Sequence, residues 1–69
     1  MAISYNKLWK LLIDQGIKKT ELIKMSGITS NAMAKLGRNE SVQMETLAKI
    51  CGVLNCEVSD IVEVVPDSD

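Results

Sequence analysis

Histidine and phenylalanine are absent from these 69 residues, and there is only one proline, one tyrosine, one tryptophan and two cysteines. Each shortage excludes something. Without histidine, Cys51 and Cys56 offer too few ligands for a structural zinc site, and the commonest general base is missing. No serine or cysteine has a base at plausible spacing, and no glycine-rich run could cradle a phosphate. No enzymatic activity, metal or cofactor is expected. With Tyr5 and Trp9 the only aromatics, a core must be aliphatic and methionine-rich, which suits packed helices. No run of about 18 apolar residues exists to span a membrane, and MAISYNK reaches charge too soon for a secretory signal. These features lead us to expect a cytoplasmic protein with both cysteines as thiols.

What remains is 46% hydrophobic, enough for one small core. The net charge of −1 argues against indiscriminate binding to polyanions, but its distribution is uneven. Residues 1–39 hold seven basic side chains against two acidic; residues 40–69 hold one basic against seven acidic. A field polarised in this way orients a protein on a polyanion more than it strengthens binding.

Apolar periodicity predicts five helices. The first spans roughly Asn6–Gln15, with Tyr5, Leu8, Trp9 and Leu12 at helical spacing and Gly16 as its stop. The second spans about Thr20–Ser26, with Thr20 as N-cap. The third spans about Ser30–Leu36, capped by Thr29 and stopped at Gly37. The fourth runs from about Met44 to Cys51 and ends at Gly52. Ser59 is a candidate cap for a short fifth. Ile61–Val65 is β-branched enough for a strand, and Ala2–Tyr5 is a candidate partner, within one chain or between two. Residues 1–65 form one expected domain and residues 66–69 a solvated tail.

The second and third segments, joined around Gly27-Ile28, have the plan of a helix-turn-helix, whose second helix fits a DNA major groove. The same stretch also carries a family resemblance. Thr20-Glu21-Leu22, the turn Ser26-Gly27-Ile28-Thr29 and the run Ser30-Asn31-Ala32-Met33-Ala34-Lys35-Leu36 resemble the helix-turn-helix of the Cro/C1 (phage repressor)-type transcriptional regulators. Met44–Cys51 resembles the family's fourth helix, and Val53–Ile61 its closing segment. The resemblance implies an all-α, five-helix, lambda-repressor-like domain acting as a homodimer on operator DNA. One departure is Ile23, which stands where longer members often have alanine.

On that plan Met33 and Leu36 point inward, and Ala32 in part, which leaves the outer face to make contacts. Asn31 can pair bidentately with adenine, Lys35 can donate to guanine, Ser30 can bond a base or a phosphate, and Ala34 can touch a thymine methyl. Lys19, Thr20, Thr29, Arg38 and Asn39 are the expected phosphate contacts, Thr20 beside the partial positive charge of a helix start. Glu40 would weaken that attraction. The expected function is a sequence-specific regulator, a repressor working by occlusion. The competing reading is a protein-interaction module, an adaptor or neutralising partner, that keeps the fold without binding DNA. Net negative charge and the apolar C-terminal run favour that alternative; the absence of acid from the third helix favours DNA.

Overall fold

The computed structural model describes residues 2–66. In chain order these form β1 (Ala2–Ser4), α1 (Asn6–Gln15), α2 (Lys19–Ser26), α3 (Ser30–Gly37), α4 (Met44–Leu54), a single 3-10 turn at Val58–Asp60, and β2 (Glu63–Val65). The fold is thus mostly helical, with four α-helices among the described residues; the fifth expected helix is reduced to that one turn. β1 and β2 pair antiparallel within the chain, with Ala2 opposite Val65 and Ser4 opposite Glu63. Of the expected tail, Pro66 follows β2, and Asp67-Ser68-Asp69 lie outside the described residues.

Each α-helix is followed by a left-handed residue, and the choice of residue corrects two expected boundaries. α1 stops at Gly16, φ 67°, with the Ile17 N–H donating back to the Leu12 carbonyl, as in a Schellman cap. α3 does not stop at Gly37, which is its last helical residue. The left-handed position is Asn39, φ 56°: the Glu40 N–H donates to the Lys35 carbonyl and the Asn39 N–H to the Leu36 carbonyl. α4 runs through Gly52 to Leu54 and turns at Asn55, φ 55°. After glycine, asparagine is among the residues that most readily adopt this conformation. The Cys56 N–H donates to the Cys51 carbonyl, which brings the two half-buried free thiols together across that cap. Burial, and then the neighbouring Cys51, push the Cys56 thiol up to about 11.

Tyr5, Leu8, Leu12, Leu22, Ile28, Met33, Leu36, Leu47, Ile50, Leu54 and Ile61 form one buried cluster. The core is aliphatic as expected, but among the described methionines only Met33 is buried; Met25 and Met44 are exposed. Tyr5 is the polar exception. Its ring is buried, its hydroxyl donates to the Glu40 carbonyl at 2.8 Å, and its N–H donates to Asn39 Oδ1 at 3.2 Å. The start of α1 therefore anchors the loop that follows α3. α2 in turn packs against both α3 and α4.

Candidate nucleic-acid interface

The geometry of α3 follows from its neighbours. Gly27 takes φ 76° to end α2, Ile28 plugs the turn into the core, and Thr29 Oγ1 accepts from the Ala32 N–H at 3.0 Å. That bond satisfies one of the free N–H groups at the helix start. Met33 and Leu36 are buried, which fixes the rotation of the helix. Ser30, Asn31 and Ala34 are exposed, Lys35 is half-buried, and α3 contains no acidic residue.

Adding a Cβ at Gly27 would meet no atom within 4 Å, so the turn needs glycine for its backbone angle and not for space. Gly27→Ala is expected to destabilise the domain by about 1–2 kcal/mol, the cost of an L-residue held left-handed. In a domain this small, thermal unfolding should then begin about 4–8 °C lower per kcal/mol of destabilisation. An unchanged melting temperature would mean that the turn relaxes to another conformation.

The expected phosphate contacts divide by what already holds them. α2 begins one residue earlier than its sequence suggests. Lys18 is the residue before the helix, and its N–H donates to Glu21 Oε1 at 3.1 Å, so Thr20 is a helical position and not the N-cap. Thr20 and Lys19 are both exposed, and the Lys19 ammonium lies over the Trp9 ring, 4.2 Å from its centroid. Thr29 is exposed but its oxygen is engaged as the cap. Asn39 is exposed as a residue, with its carbonyl oxygen committed to Tyr5. Arg38 is hydrogen-bonded and ion-paired to Glu40 through its Nε. That bond holds the Glu40 carboxyl below its ordinary range, aided by the charges of Arg38 and Lys35 against some desolvation, and it raises the guanidinium.

Glu40 thus engages a cation that the sequence leads us to expect at a phosphate. Glu40→Gln is expected to strengthen duplex binding roughly two- to fivefold at low salt, the scale of an exposed charge pair, with the gain fading as salt rises. Fluorescence anisotropy across a salt series measures it; weaker binding would show that the pair orients Arg38 toward DNA.

Two features of the site are not legible from local sequence: Tyr5 as the anchor of the Arg38–Glu40 loop, and Trp9 beneath Lys19. Both join residues distant in the chain. The local hint is an aromatic at each position in a chain with no others.

The Cro/C1-type helix-turn-helix DNA-binding domain model matches residues 7–67. The chain belongs to this family. Among solved structures, this Cro/C1-type domain is similar to the transcriptional regulator VanUg (crystal form II). The two share 50% identity with a TM-score of 0.92, over 96% of this chain and 88% of that one. No curated protein matches it. No helix among the described residues is long and apolar enough to cross a membrane.

Proposed function

We propose that this Cro/C1-type protein is a non-enzymatic, cytoplasmic transcriptional regulator that binds a two-fold operator as a homodimer and represses by occlusion. The observation that carries the reading is the outer face of α3: small, uncharged Ser30, Asn31 and Ala34, exposed on a helix whose rotation two buried side chains fix. Small residues let the helix backbone approach base edges; Asn31 reads adenine and Lys35 guanine. Lys19, Thr20, Thr29, Arg38 and Asn39 set the register on the phosphates. Likeness to a structure described as a transcriptional regulator supports the same reading. So short a reading face gives modest affinity per half-site, which two copies on half-sites one helical turn apart would raise.

Selection of bound duplexes from a random pool of about 30 base pairs, followed by sequencing, tests this; that length holds two half-sites one turn apart. A symmetric enriched motif is the expected result. Binding without enrichment that vanishes near about 200 mM salt would mean phosphate attraction alone. The interaction-module reading would then replace this one.

A further inference from the structure

We propose that Trp9 is a positioning residue for DNA binding: its indole face holds the Lys19 ammonium ready for a backbone phosphate. The proposal rests on the DNA-binding reading above, and it names a residue outside the helix-turn-helix. Trp9 belongs to α1, is half-buried and packs against the core. The Lys19 ammonium stands over its ring, 4.2 Å from the centroid, well inside the distance at which the ring quadrupole attracts a cation.

Lys19 opens α2, so it adds a full charge where the helix start already favours anions. Lysine is a poor fixed contact by itself, because its flexible stem gives up much rotamer freedom when it is ordered. A fixed ring beneath the ammonium has already removed that freedom. The ring covers one side of the ammonium and leaves N–H donors on the other for a phosphate oxygen. No carboxylate is within ion-pair distance of Lys19 among the described residues, in contrast to Arg38. Lys19 is therefore the more available of the two cations, and the indole adds no charge that would compete with DNA.

A double-mutant cycle on a duplex recovered by selection tests the pair, with affinity read by anisotropy across a salt series and folding checked by circular dichroism. Lys19→Ala should weaken binding to selected and scrambled duplexes by the same factor. It should also make the salt slope shallower by about 0.9 for each phosphate left without its cation. Trp9→Leu should weaken binding about two- to fivefold, the scale of an exposed cation–π pair. It should have no further effect in the Lys19→Ala background, and Trp9→Phe should recover part of the affinity. If Trp9→Leu does not fold, Trp9→Phe carries the cycle with a smaller effect in the same direction. An equal weakening from the Trp9 change in both backgrounds, or tighter binding, would overturn the proposal, since the ring would then act through packing or compete for the lysine. If the wild type enriches a motif and Lys19→Ala changes neither affinity nor slope, this proposal alone falls. If the wild type binds no duplex, the regulator reading falls with it.

Discussion

Leu36→Ala should bring the folded domain close to its unfolding limit. Leu36 is fully buried on α3 and is one of the two side chains that lock that helix to the core. Truncating a buried leucine costs about 2–5 kcal/mol, from forfeited transfer energy and the cavity left behind. A domain of this length has roughly 3–10 kcal/mol in total. At the middle of these ranges, urea unfolding followed by helical ellipticity should show a midpoint lowered to roughly half the wild-type value. Leu36→Met, which conserves volume, should cost less than about 1.5 kcal/mol. Similar costs for the two variants would mean that shape at this position matters more than volume. Because Leu36 also sets the rotation of α3, duplex selectivity in Leu36→Met should fall further than stability does.

Asn31→Ala should produce the largest functional change while leaving the fold intact. Asn31 is exposed and occupies the second position of α3. Thr29, not Asn31, caps the helix, so the substitution leaves the bond that starts α3 in place. A bidentate contact to adenine is worth about 1–3 kcal/mol of discrimination. Two half-sites would double that, so preference for the selected duplex over one altered at the contacted base should fall by roughly one to four orders of magnitude. Affinity for unrelated duplexes and the salt slope should barely move, because the proposed phosphate contacts are untouched. A uniform weakening across all sequences would assign Asn31 to the backbone. No weakening at all would remove the central support of the proposed regulator.

Much of the fold can be read locally. Thr29 as a cap, Gly16 as a stop and the inward pair Met33 and Leu36 follow from spacing and side-chain chemistry, and the structure places each as expected. The misread positions share one cause. Gly37 and Gly52 look like helix ends because glycine tolerates left-handed angles, yet the hydrogen bonding that closes each helix falls on Asn39 and Asn55. Which of two permissive residues takes the turn depends on what the next segment must reach: Asn39 sits where its carbonyl meets the Tyr5 N–H, a partner 34 positions away. Thr20 is misplaced as a cap for a related reason, since the carboxylate of Glu21 reaches back to the Lys18 N–H and starts the helix earlier. At the candidate interface, the exposed face of α3 is legible because its inward face is. The pairing of Lys19 with Trp9 is not, because it joins two helices that only the folded chain brings together.

The antiparallel register of β1 and β2 has a consequence for the order of events during synthesis. Ser4 meets Glu63, and Ala2 meets Val65. The first strand made must therefore stay unpaired until almost all of the described chain has left the ribosome, while the helices between them form from local contacts. The helices can gather early, whereas the strand pair can close only once Glu63–Val65 has been made. A chain released before Glu63 would thus carry α3 and its exposed face without the clasp of β1 on β2.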